Sequence, residues 1–103
     1  MTTAPHAIRF DPATGSLHVD GRSTLLTGIE KRLIALFFER LGEAITHQEI
    51  RQKIWGEGWS GGDEALRVAI NRLRKKFENN QRRPQILVSV RGIGYRLIGT
   101  RQG

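Results

Sequence analysis

The sequence predicts an α+β domain: an N-terminal antiparallel β-meander, three helices and a C-terminal β-hairpin. Three observations predict it. Short strand-like runs separated by Asp11-Pro12-Ala13-Thr14-Gly15 and Asp20-Gly21 fill the opening segment. Apolar residues then recur at helical spacing behind two Thr-x-x-Glu starts. Near the end, two β-rich runs flank Arg91-Gly92-Ile93-Gly94.

The predicted strands cover residues 8–10, 17–19 and 24–26. Asp-Gly is a common hairpin turn because Gly, and to a lesser degree Asp, tolerates positive φ. So small a sheet needs the following helices to lean on. The first helix opens at Thr27, where Thr27-Gly28-Ile29-Glu30 has the form of a capping box. Leu33, Ile34, Leu36, Phe37 and Leu41 supply its apolar face, and Gly42 is its stop. Thr46-His47-Gln48-Glu49 starts the second, with Ile50, Ile54 and Trp55 facing inward.

Residues 56–62 read GEGWSGG, a glycine-rich loop. Two readings of its Trp59 stand side by side: it folds back over the core, or it contacts a partner. The third helix spans residues 63–78, with Leu66, Ile70, Leu73 and Phe77 as a single apolar stripe. Asp63 and Glu64 fall in its first turn, where carboxylates suit the positive end of the dipole. At about 100° per residue, Glu64, Val68, Asn71 and Lys75 lie opposite the stripe. Arg72 flanks that outer face on one side, Arg67 and Arg74 on the other. After a polar connection, the runs 86–90 and 95–98 form the hairpin, with Arg91 at its tip.

At 103 residues the chain suffices for one modest core. Residues 1–7 read as a flexible lead-in, 8–98 as the domain and 99–103 as a frayed tail. Cysteine is absent, so disulfides and thiolate chemistry are excluded, which is compatible with a cytoplasmic home. No apolar run approaches the ~18 residues of a membrane span, and MTTAPHA has no signal-peptide core.

Charge is segregated. Residues 1–60 are balanced, whereas residues 61–103 carry ten Lys/Arg against three Asp/Glu, so this part holds the whole net charge of +7. Such a field favours a polyanion. The outer face of the third helix carries the groups that read base edges: Arg pairs bidentately with guanine, Asn with adenine, and Val68 suits a thymine methyl. Arg82, Arg83, Arg91 and Arg96 would add phosphate or minor-groove contacts. Arg96 has a second reading, an ion pair with a carboxylate such as Glu49. Arg74 and Lys76, nearer the stripe, suit phosphates better than bases. Tyr95 reads as a core residue pinning the hairpin to the third helix, and Gly92 and Gly94 read as turn geometry.

These residues resemble a known family. Leu26-Thr27 with Glu30 and Leu33, Gly42, Thr46, Trp55-Gly56, Asn71-Arg72-Leu73-Arg74-Lys75-Lys76 and Arg91-Gly92-Ile93-Gly94-Tyr95-Arg96-Leu97 look like the OmpR/PhoB-type winged-helix DNA-binding domain. The resemblance covers roughly residues 8–98. It implies a winged helix-turn-helix whose third helix enters the major groove of double-stranded DNA while the hairpin wing touches the adjacent minor groove. By position it assigns Arg67, Asn71, Arg72 and Lys75 to DNA and makes Arg91 the wing arginine; Val68 and Arg74 join the DNA-binding candidates from their places on the helical wheel. It also implies an effector domain of a bacterial two-component response regulator, bound head-to-tail on direct repeats. The loop carrying Glu57, Trp59 and Ser60 becomes a candidate contact for RNA polymerase. Some positions depart from the pattern. Glu64 and Ala65 stand where the family often has Arg-Thr, Arg67 where Asp is frequent, Ala69 where His is frequent, Lys31 where an aromatic is common and Gly28 where proline is common. These bear on the operator sequence rather than the fold.

So short a lead-in leaves no room for a receiver domain ahead of the first strand. The expectation is an excised output domain or a module regulated otherwise, a membrane-anchored parent included.

Catalysis is not expected. His6, His18 and His47 are scattered singly, and no metal-ligand spacing, nucleophile motif or phosphate loop occurs. No cofactor or small-molecule substrate is implied. Few aromatics remain for a base-stacking platform, which disfavours single-stranded RNA. The competing class is a winged helix serving mainly as a protein-interaction module through residues 56–62.

Overall fold

A two-residue turn sets the register of the first sheet. In the computed structural model, which describes residues 6–59 and 61–102, Asp20 and Gly21 both have positive φ, 52° and 82°. That geometry matches the right-handed twist of the strands it joins. Val19 therefore pairs with Arg22, and the strand after the turn starts at once. This is why β3 is Arg22–Leu25 rather than the expected 24–26. Antiparallel pairing joins it to β2 (Ser16–Val19) and β2 to β1 (Ala7–Asp11).

Three helices follow: α1 (Gly28–Glu39), α2 (His47–Trp55) and α3 (Glu64–Phe77). A two-stretch ladder missing from the sequence reading lies before α2. Ile45–Thr46 forms β4 and pairs with β6 (Gly94–Leu97), which pairs in turn with β5 (Leu87–Val90). The wing is thus a three-stranded sheet in the order β4-β6-β5. Gly94 makes it possible: a Cβ built there would lie 1.9 Å from the Ile45 carbonyl oxygen. Gly92, at φ 76°, does the turning, while Gly94 belongs to the strand and is needed for close approach.

Thr100 and Arg101, expected to fray, are instead structured. Thr100–Arg101 forms β7, which adds in parallel to β1 and completes the order β3-β2-β1-β7. Thr100 donates its amide to His6 O at 2.7 Å and Gln102 to Ile8 O at 2.8 Å, so His6 and Ala7 are part of the domain too. The Arg101 guanidinium donates to the carbonyls of Phe38 and Glu39 and lies 5.0 Å from the Phe38 ring centre. It supplies the cation that the last turn of α1 lacks.

The core lies between the helices and the two sheets. Leu33, Ile34 and Phe37 of α1 meet Ile50 and Ile54 of α2, and all four stripe residues of α3 are buried with them. Ile8, Leu17 and Val19 close it from the first sheet, Leu87 and Leu97 from the wing. Thr46 caps α2 as expected, accepting the Glu49 amide at 3.1 Å. At α1 the Glu30 carboxylate accepts the Thr27 amide (3.1 Å) and hydroxyl (2.9 Å).

Candidate nucleic-acid interface

Both ends of α3 are tied down. At its start, the N-cap Asp63 is bridged by Arg51 of α2. At its end, Arg22 donates to Asn79 Oδ1 (2.8 Å) and Phe77 O (3.4 Å). Glu78 then turns the chain into the wing: its carboxylate accepts the amides of Gln85 (2.9 Å), Ile86 (3.1 Å) and Leu87 (2.7 Å). Nothing in the local sequence pattern marks Glu78 as this anchor except a carboxylate at the negative end of a helix, where the dipole disfavours it unless donors are waiting.

Of the cations on α3, three are engaged within the domain. Arg74 donates through Nε to Leu87 O (2.9 Å) and through Nη2 to Ser89 Oγ (3.1 Å), with its guanidinium 5.7 Å from the Tyr95 ring centre. Burial pulls its pKa below the ordinary arginine value. Arg74 is therefore a brace between α3 and the wing, a role its expected place beside the DNA-facing residues did not include. Lys76 likewise turns inward, donating to Glu30 Oε1 (2.5 Å) and Leu25 O (3.0 Å). Burial works against the Glu30 anion, but the Lys76 ammonium and the Thr27 donors outweigh it and hold the pKa below the usual glutamate value. The third cation, Arg67, is exposed and pairs with Glu64 one turn back, whose hydrogen bond raises the arginine pKa further.

Asn71, Arg72 and Lys75 remain on the exposed face, and neither cation has an ion-pair partner among the described residues. Val68 is exposed beside them. Lys75 and Asn71 line one recess of about 260 Å³ with Gln81 and Arg82, which places Arg82 next to the helix. On the other flank Arg72 and Val68 line a groove of about 320 Å³ together with Ala65, Ile29 and Trp55. Ile29 is exposed there although its sequence position gave no hint of it.

The wing presents Arg91 and Ile93, both exposed, at its tip. Tyr95 is buried, with His47 packed edge-on at 5.4 Å, and so pins the wing as read. Arg96 does not reach Glu49, which Arg40 takes, and its Nε is buried without a partner. In the loop, Trp59 stacks on Trp55 at 5.9 Å and 25°, so it folds back onto the domain as one reading had it, and stays 41% exposed. Glu57 is exposed beside it, and Ser60 lies outside the described residues.

A helix-turn-helix followed by a braced β-hairpin, with unpaired cations on its outer helix face and hairpin tip, defines a winged-helix DNA-binding domain. Residues 21–97 match the family described as "Transcriptional regulatory protein, C terminal", and the chain belongs to it. It is the DNA-binding effector domain of an OmpR/PhoB-type transcription regulator and not an enzyme. The transcriptional regulatory protein YvrH of Bacillus subtilis is 31% identical over 94 residues, covering 91% of this chain and 40% of that protein. The chain thus spans less than half the length of that relative. Among solved structures, the Klebsiella pneumoniae RstA DNA-binding domain in complex with RstA box superposes with a TM-score of 0.77 at 24% identity, covering 93% of this chain and 95% of that one. The response regulator AdeR DNA-binding domain in complex with an intercistronic region gives 0.70 at 28%, covering 87% and 92%. Among the described residues no helix is long and apolar enough to cross a membrane.

Proposed function

We propose that α3 reads a duplex operator in the major groove through Asn71, Arg72, Val68 and Lys75, while Arg91 engages the adjacent minor groove. The observation that carries this is the division of the α3 cations. Arg74 and Lys76 are spent on the fold, whereas Arg72 and Lys75 are left unpaired on the face that also presents Asn71. Unpaired cations supply the salt-dependent phosphate term, and Arg and Asn supply base discrimination. Arg82, beside Lys75, extends the phosphate track.

Selection of bound sites from random duplex, followed by retardation across a salt series, tests this reading. A recovered consensus whose affinity falls steeply with salt supports it; equal binding to all duplexes sinks it. Two half-sites recovered in direct repeat would extend the reading to a head-to-tail pair.

A second contact belongs to the loop. Trp59 is held in place by Trp55 and still presents its outer face, with Glu57 next to it. This fits a protein partner of the transcription machinery, RNA polymerase by resemblance. Trp59→Ala would lower transcription from a bound operator without changing occupancy.

A further inference from the structure

The Glu64–Arg67 pair stands apart from the other ion pairs of α3. Both side chains are largely exposed, 73% and 64%, on the first turn of the helix. An ion pair this open adds little to stability. A carboxylate on a surface built for a polyanion also repels phosphates.

What the pair presents is a row of hydrogen-bonding groups. Arg67 uses Nη2 toward Glu64 Oε2, which leaves further guanidinium N–H donors beside the carboxylate's acceptors. Set side by side on one edge, two such donors and one acceptor can meet three base-edge groups in the order donor, donor, acceptor. A G·C pair in the major groove offers N7 acceptor, O6 acceptor and N4 donor in that order, whereas A·T offers acceptor, donor, acceptor. The complementarity holds for G·C in one orientation only.

We infer that Glu64 and Arg67 act as a single unit reading one G·C base pair at the N-terminal end of the α3 footprint. Arg67 takes guanine N7 and O6. Glu64 holds the guanidinium and accepts from cytosine N4. This rests on α3 lying in the major groove, and it adds a specificity element in which the carboxylate is as necessary as the arginine. Because the pair is neutral as a unit, it contributes preference and little of the salt-dependent affinity.

The test uses duplexes selected by the unaltered protein, with each base pair replaced in turn, and the variants Glu64→Ala, Arg67→Ala and the double variant. Both positions are exposed, so folding is preserved. The unaltered protein should prefer G·C at one position by about tenfold or more. In Glu64→Ala, which removes the acceptor, that preference should fall by about fivefold or more at that position alone. Its affinity for random duplex should rise, with the salt slope steeper by about one phosphate contact. The double variant should lose no more preference than Arg67→Ala alone. The inference is overturned if Glu64→Ala tightens binding to every duplex equally with the preference intact. It is equally overturned if Arg67→Ala leaves the preference unchanged. If Asn71→Ala and Arg72→Ala lose discrimination at their own positions in the same experiment, the operator reading survives that failure. Absence of any preference in the unaltered protein overturns both.

Discussion

Arg74 Nε donates to the Leu87 carbonyl at 2.9 Å, so the recognition helix and the wing are joined by a side chain that never has to leave the protein. The same guanidinium reaches Ser89 and faces the Tyr95 ring. α3 and the wing, the two elements proposed to face DNA, therefore hold one relative position before any duplex arrives, which lowers the ordering cost of binding.

Replacing Arg74 by alanine should cost about 1.5–3 kcal/mol of stability, the range for hydrogen bonds to a charged group. It should also weaken binding to all duplexes alike, because the wing loses its placement rather than a base contact. Denaturant midpoints and binding to selected and random duplexes measure the two effects. Arg74→Lys should restore little, since one ammonium cannot serve Leu87, Ser89 and the Tyr95 face together.

Alanine at Asn71 or Arg72 should cost about 1–3 kcal/mol of discrimination at one base pair each. Arg91→Ala should instead weaken many sequences similarly and flatten the salt dependence by about 0.9 in slope. Binding isotherms on single-position duplex variants at several salt concentrations separate these outcomes.

Acid should loosen the α1–α3 junction. The Glu30 pKa is lowered in the fold, so its contribution is complete above the ordinary glutamate value of about 4.3. That contribution is lost as pH falls through the lowered folded value. Glu30→Gln should be less stable than the unaltered protein at neutral pH by about 1–3 kcal/mol. The difference should shrink on acidification; a gap that widens toward low pH would contradict the assignment. Urea titrations at stepped pH values decide it.

Gly94→Ala should be the most damaging single methyl in the chain. The added carbon meets the Ile45 carbonyl at 1.9 Å, so β4 and β6 must separate. A loss of about 3 kcal/mol or more is expected, the upper end for overpacking. Thermal unfolding measures it, and a change below about 1 kcal/mol would show that the strands yield easily.

What the sequence made legible was local. The stripe Leu66, Ile70, Leu73 and Phe77 states its own period, and all four are buried. Thr27 and Thr46 announce helix starts because cap and partner lie three residues apart. Asp20-Gly21 declares a hairpin in two residues. The features that escaped have distant partners. Two residues at Ile45 and Thr46 become a strand only because β6 is beside them. The tail is ordered only because β1 exposes an edge to it and Phe38 a ring. For the site, composition told that α3 was basic but not how its charge was divided. Arg74 and Lys76 differ from Arg72 and Lys75 through Leu87, Ser89, Leu25 and Glu30, none of them within one helical turn.

The parallel pairing of β7 with β1 has a mechanical consequence. The chain enters β1 at Ala7 and leaves β7 at Arg101, at opposite ends of the same short ladder. Tension applied between the two ends runs along the strands, so the bonds from Thr100 to His6 and from Gln102 to Ile8 are loaded together in shear rather than unzipped one by one. A tether pulling on this domain through both of its ends meets its resistance at the sheet edge, and α3 and the wing, which lie between β1 and β7 along the chain, are spared the load while that ladder holds.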